Sequence, residues 1–264
     1  MDIFQRGEYK ISFCITCKNR AHHLKKTLVK NILSNQDYSR LEIVLLDYNS
    51  MDGLEQWARN ELSDYLPGNR VVYYKTFDPA VFNHSHSKNV AFKLATGDII
   101  CNINSDNFIG PGFAAYINCA FQKKKNVFLR PELRMGFASG TAGVVCLNKT
   151  DFLKIGGFDE RMSVYGWEDV DFINRLTFSG LEDTNIEDVN YLDAIEHGID
   201  EKYDMNKLLS KIHEIYVSSI TPLDEPSSKL LILFKNKTFK FGTVINNLHK
   251  VGLDPDYARK LVAS

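Results

Sequence analysis

The sequence predicts an α/β protein with a mostly parallel central sheet flanked by helices. Three observations carry that prediction. Short continuous apolar runs, "ISFCIT", "EIVLLD" and "DIICNI", read as strands buried on both faces. The segments between them place apolar residues three and four apart, as amphipathic helices do. Strand and helix then alternate in order, which predicts right-handed βαβ units.

"ISFCIT" is the first strand and ends in the polar "CKNR"; "AHHLKKTLVKNILSN" follows as a helix with Leu24, Leu28 and Ile32 on one face. "LEIVLLDYNSMDG" is a second buried strand running into a glycine-terminated turn. "LEQWARNELSDYL" reads as a helix, "RVVYYKT" as a strand, and "HSKNVAFKLATG" as a helix stopped by Gly97. "DIICNIN" is a strand that delivers Asn104-Ser105-Asp106-Asn107 to its carboxyl end. Past "GPGFAAYINCAFQKKKNVF" the alternation decays. "TAGVVCLNKTDFLKIGGFDE" gives a strand and a short helix, and "YGWEDVDFINRLTFSG" a loop and a helix stopped by Gly180. Residues 1–108 thus read as a nucleotide-binding half and 109–220 as an acceptor half sharing one core. "TPLDEPSS" punctuates the chain before an extension over 221–264.

The 264 residues carry 32 Lys and Arg against 33 Asp and Glu, so nothing in the charge balance attracts nucleic acid. No run of about 18 apolar residues occurs, which predicts no membrane span. The opening "MDIFQRGEYK" lacks an apolar signal core, which predicts a cytoplasmic protein. From Lys229 to Ser264, seven Lys or Arg face two Asp, a net charge of +5 mixed with Leu, Ile and Phe. Such a tail could meet the anionic inner face of a membrane peripherally, or pack on the domain as a basic hairpin. The five cysteines include one Cys-x-x-Cys, "CITC", with no second pair or nearby His to complete a zinc site. They read as reduced and structural.

Four polar clusters fall at strand ends or in adjoining loops: "CKNR", "DYNSMDG", "NSDN" and "YGWEDVD". In a parallel sheet the first three converge on one edge. Asp47 follows Leu45-Leu46, where burial requires a hydrogen-bond partner: a nucleobase or ribose hydroxyl, or its own turn. No Gly-x-Gly-x-x-Gly follows the first strand and no Gly-x4-Gly-Lys-Ser/Thr occurs, against a dinucleotide fold and a P-loop.

Taken in order, "ISFCITCKNRAHHLKKTL", "EIVLLDYNSMDG", "HSKNVAFKLATGDIICNINSDNFIGPGF" and "GGFDERMSVYGWEDVDFINRL" resemble the GT-A fold nucleotide-sugar glycosyltransferases. The likeness is to family-2 enzymes with a galactosyltransferase-like C-terminal segment, and it runs from about Ile11 to His197. It implies a Rossmann-like GT-A sheet and a hexosyl- or N-acetylhexosaminyltransferase acting on a UDP-sugar. It also implies that Thr16, Lys18 and Arg20, with Asp47 and Asn49, surround the donor's base and ribose. Lys88 fills the slot of the family's Arg near the diphosphate, as a point charge rather than a fork; on residues alone it reads equally as a lysine on a solvated helix face.

The resemblance makes Asp106 the metal-touching carboxylate of the family's Asp-x-Asp, with Asn104 in the first position acting through ribose or water. His197 falls where metal-binding relatives carry a His, after the Glu-Asp helix and one further strand. Carboxylate, imidazole and diphosphate suit Mn²⁺ better than Mg²⁺. Asp169 matches the base of inverting members, while Glu168, Gly166 and Trp167 match acceptor-binding positions. Without the resemblance, Glu168, Asp169 and Asp171 are an ordinary acidic helix start and Trp167 a core residue. His84 and His86 read as lining at most. The implied acceptor is a glycan or lipid-linked glycan. Two other classes stay open: a nucleotidyltransferase, against which "CKNRAHH" lacks a phosphate-loop glycine, and a binding protein with an impaired site, which Asn104 keeps alive.

Overall fold

A computed structural model describes residues 8–77, 80–132, 139–162 and 166–196, and the backbone of 249–250. The central sheet forms first from β1 (Ile11–Cys17), β2 (Leu41–Tyr48), β3 (Val71–Thr76) and β4 (Ile99–Asn104), all parallel, in the order β3-β2-β1-β4. Every residue of β2 and β3 is buried, which explains their mostly apolar sequences. Beyond β4 the sheet continues with β7 (Val145–Asn148), antiparallel to its neighbours, then β6 (Val127–Pro131) and β8 (Glu182–Ile186). The two-residue β10 (His249–Lys250) pairs antiparallel with β3 at the other edge. A separate ribbon joins β5 (Asn107–Ile109) to β9 (Leu192–Ala194).

Alternating side chains feed two cores. Ile11, Phe13, Ile15, Ile43, Leu45 and Ile103 pack beneath α1 (Ala21–Ser34), α2 (Leu54–Glu61) and α4 (Phe113–Lys123). Cys14, Val44, Leu46 and Ile100 point the other way, under α3 (His84–Leu94), α5 (Lys149–Ile155) and α6 (Glu168–Phe178). The first core draws residues from both halves of the chain, Leu24 and Ile43 packing with Ile117, Phe121 and Leu129. Because the chain leaves β1 for β2 on one side and returns to β4 on the other, a crevice opens between the carboxyl ends of β1 and β4.

Several boundaries differ from the sequence reading, each for a local reason. α2 stops at Glu61, ahead of Pro67-Gly68, and the chain to Asn69 runs in turns. α3 starts two residues early, at His84, because the Asn83 side chain accepts from His86 N (2.9 Å) and caps it. Two strands, β8 and β9, follow α6 where one was expected. The 221–264 extension lies outside the described residues apart from the β10 backbone. Among the described residues no helix is long and apolar enough to cross a membrane. Cys14, Cys17, Cys101 and Cys146 are buried free thiols on strands, and Cys119 is exposed on α4.

The "GGFDE" segment ties α3 to α6. Asn89, buried on α3, donates to Phe158 O (2.9 Å) and Glu160 Oε1 (2.8 Å) and accepts from Phe158 N (2.8 Å). The Phe158 ring stacks on Phe172 of α6, centroids 4.0 Å apart. Beneath it the fully buried Arg175 pairs with Asp171 and donates to Gly157 O (2.6 Å). Asn89→Ala strands two buried backbone groups of Phe158. It is expected to lower stability by about 2–3 kcal/mol in urea denaturation; a loss within about 0.5 kcal/mol would show the clamp to be dispensable.

Candidate active site

The β1 and β2 loops are stitched together at the sheet edge. Lys18 Nζ donates to the carbonyls of Tyr48 (3.2 Å) and Asn49 (3.0 Å), and Asn19 N donates to Ser50 Oγ (3.0 Å). Burial lowers the pKa of Lys18 against the pull of Asp47. Asn19 and Asn49 both adopt left-handed φ (54° and 62°), a conformation that asparagine tolerates better than most residues. No side chain of Arg20 caps α1; instead Asp52 Oδ2 accepts from Ala21 N (2.7 Å), a cap supplied from the neighbouring loop. Asp47 is wholly buried, and its carboxylate accepts from Ser50 N (2.7 Å) and Tyr73 OH (2.6 Å), with Lys75 at 3.7 Å. Its burial is thus satisfied by the protein itself.

Across the crevice, the β4–β5 turn is held by amides. Asn104 N donates to Asn107 Oδ1 (3.1 Å), and Asn107 Nδ2 reaches Asp106 Oδ1 (3.3 Å) and Gly140 O (3.4 Å). From α1, Thr27 Oγ1 donates to Ser105 O (2.9 Å) and Asn31 Nδ2 to Asn107 O (2.9 Å). Asp106 is half-buried, and its carbonyl accepts from Ile195 N (2.9 Å) as the chain leaves β9. Thr16 on β1 lies opposite Asn104 in the parallel register. Among the described residues no three His, Cys, Asp or Glu side chains come together as a cation site. His197 lies outside the described residues.

The third part of the site is ionic. Lys88, only 5% exposed on α3, places Nζ 3.0 Å from Glu168 Oε1 and 2.5 Å from Asp169 Oδ1, both in the first turn of α6. The Phe158 ring lies 5.0 Å from the same ammonium. Glu168 is buried and also accepts from Gly166 N (3.0 Å), whereas the Asp169 side chain is 30% exposed. Gly166 and Trp167 enter the helix with positive φ (102° and 73°), which sets the two carboxylates at its N-terminus. Burial pushes Asp169 up to about 6 and Glu168 adds to the rise, while Lys88 pulls it down. Glu168 is held below the usual carboxylate range: burial raises it, and Lys88 and then His84 outweigh that. Burial drives His84 down to about 4, so it is neutral at pH 7. His86 is bonded through Nδ1 to Tyr48 OH (2.6 Å).

Gly143 closes the gap between turn and helix. A Cβ there would stand 3.2 Å from both Asn104 Nδ2 and Asp169 Oδ2. Asn102 Nδ2 fixes the Gly143 carbonyl (2.8 Å) from the β4 strand. The structure therefore gathers Asn104, Lys88, Glu168 and Asp169 on the α3/α6 side, with Gly166 and Trp167 in the adjoining loop. Lys18 and Asn49 meet on the neighbouring loops, with Arg20 close enough to His84 to act on its titration. Asp47 shares its sheet face with Tyr73 and Lys75, away from Asn104. Lys88 is not on a solvated face. Asn89, Asn102 and Gly143 were not singled out from sequence, although Asn102 and Asn104, two apart in an apolar strand, carried a signal; Asn107 was read only as part of the polar cluster.

Fold and sequence models agree. The glycosyl transferase family 2 model matches residues 12–128, and the model described as the N-terminal domain of galactosyltransferase matches 125–199. The chain is a GT-A nucleotide-sugar glycosyltransferase. It is similar to the mannosyltransferase PcManGT from Pyrobaculum calidifontis, solved with GDP-Man and Mn²⁺ (TM-score 0.64, 15% identity, 99% of this chain and 74% of that one). S. aureus TarS 1-349 in complex with UDP-GlcNAc gives a TM-score of 0.60 at 15% identity over 86% of this chain and 72% of that one. GalNAc-T7 with UDP, GalNAc and Mn²⁺ gives 0.62 at 11% identity over 81% and 49%. At these identities the likeness speaks for the fold. No curated protein matches the chain in sequence.

Gly143→Ala tests the packing of turn against helix. Its Cβ needs Asn104 or Asp169 to give by a few tenths of an ångström, and a misplaced reacting group costs rate steeply. Sugar transfer is expected to fall roughly tenfold with the melting temperature unchanged within about 2 °C. Full activity would show that the two side chains move freely.

Proposed function

We propose that the protein moves a sugar from a UDP-sugar to a hydroxyl of a glycan or lipid-linked glycan, with inversion, using Asp169 as base. The observation that carries this reading is the state of Asp169: partly exposed at a helix N-terminus and raised to about 6, near the optimum for a base at neutral pH. The acceptor hydroxyl forms its bond to the anomeric carbon as the bond to the diphosphate oxygen breaks, and its proton passes to the Asp169 carboxylate. Glu168, Gly166 and Trp167 receive the acceptor, the indole offering an apolar face to a sugar ring. Thr16, Lys18, Arg20 and Asn49 line the donor's base and ribose, and Asp47 serves from below by bracing the turn that carries Asn49. The basic 229–264 tail favours an acceptor presented at an anionic membrane surface.

Asp106 and His197 would hold a divalent cation, Mn²⁺ in preference to Mg²⁺, with Asn104 acting through ribose or water. Asp106 fits that role, a half-buried carboxylate in a braced turn, and a carboxylate with an imidazole is a donor pair that suits Mn²⁺. Two of the similar structures hold Mn²⁺ beside a nucleotide or nucleotide-sugar. When bound, the ion offsets negative charge on the departing diphosphate.

Asp169→Asn should leave UDP affinity within about twofold and lower transfer at least about 10²-fold. Wild-type kcat/KM should fall as pH drops through about 6, as the base protonates. An active Asp169→Asn enzyme, or a flat acid limb, would remove Asp169 from the role. His197→Ala should weaken Mn²⁺ binding, measured by calorimetry, by about tenfold or more and metal-free UDP binding by less than twofold. Equal losses would mark His197 as structural.

A further inference from the structure

We propose that Lys88 is a positioning residue, the fixed cation that orients Asp169 and keeps it ionised, and not a ligand of the donor diphosphate. This rests on the reading of Asp169 as base and adds the device that sets it. The geometry commits the ammonium to the protein. It donates to Glu168 Oε1 at 3.0 Å and to Asp169 Oδ1 at 2.5 Å, and the Phe158 ring covers it with its centroid at 5.0 Å. Lys88 as a whole is only 5% exposed, which leaves it little surface to offer a phosphate. A donor ligand in that place would have to abandon the buried Glu168 and the half-buried Asp169, and Glu168 would lose its compensation when it leaves.

Among the described residues, the charged and titratable groups around Lys88 come from three elements. α3 contributes Lys88 and His84, α6 contributes Glu168 and Asp169, and Arg20 acts from the β1 loop. His84 is neutral at pH 7, so Lys88 is the cation bonded to both carboxylates. Glu168 is the more deeply buried of the two and locks the ammonium; Asp169 is the partner that also reaches solvent. One carboxylate holds the cation while the other works beside it. Lysine suits this better than arginine: a compact point charge between two carboxylates on one turn needs no bidentate fork.

The test follows Asp169 directly in the full-length protein carrying ¹³C-carboxyl aspartate, with its resonance identified by loss in Asp169→Asn. Lys88→Met should move the Asp169 titration midpoint up by about one pH unit or more, because Lys88 stabilises the ionised form. Glu168→Gln should move it down, because a like charge is removed. Calorimetric affinity for UDP and for GDP should stay within about twofold in Lys88→Met, while donor hydrolysis at neutral pH falls. An unmoved Asp169 midpoint, or a roughly tenfold loss of nucleotide affinity, would overturn the proposal and return Lys88 to the diphosphate. If Lys88→Met does not fold, as a missing thermal transition would show, Glu168→Gln decides alone: a downward shift supports the ionic unit and an unmoved midpoint refutes it. Activity surviving in Asp169→Asn would instead refute the base assignment, a separate outcome.

Discussion

One buried ammonium holds this site together. Lys88 bridges the two carboxylates that open α6, and its removal would leave the buried Glu168 uncompensated beside Asp169. Every neighbouring feature serves that contact. Asn89, one residue on, grips Phe158; Phe158 caps the ammonium and stacks on Phe172; Arg175 and Asp171 anchor the same turn from behind. The stretch "GGFDE", part of the last of the family-like segments, thus works as packing. Its Phe and backbone shape the place where the carboxylates of "GWEDVD" meet Lys88.

The β4–β5 turn beside it is braced by neutral dipoles. Asn31, Asn102 and Asn107 brace the β4–β5 turn and Gly143 without adding charge. Amides can satisfy both donors and acceptors of a buried turn, where carboxylates would repel the nearby Asp169 and raise it further. Asn104 fits that pattern. Its amide lies close to where a Gly143 Cβ would stand, beside Asp169, so an aspartate there would add a further negative charge near Asp169 and Glu168.

The pleat of the sheet separates two kinds of polar residue at the strand ends. Asn102 and Asn104 lie on the face covered by α3 and α6, with the ionic cluster. Asp47 alternates onto the α1/α2 face, where Tyr73 and Lys75 take its oxygens. It therefore acts through the loop it braces, whose Tyr48 and Asn49 carbonyls also receive Lys18.

By itself the sequence determined the order of strands and helices through Asn104, because buried parallel strands need unbroken apolar runs and their helices need one apolar stripe. It also determined which polar clusters reach the carboxyl edge, since that follows from strand direction. Element ends were less legible, because a cap such as Asn83 shifts a boundary that periodicity cannot see. The short β5–β9 ribbon was missed because three-residue strands carry no period. Only tertiary structure decided the partners of the polar residues. A lysine on an amphipathic helix can face water or the interior with the same local sequence; what buries Lys88 is a pair of carboxylates 80 and 81 residues away. The fate of Asp47 was settled the same way, by Tyr73 and Lys75 on the neighbouring strand. Charge is placed by what it meets across the chain, and no local pattern encodes that meeting.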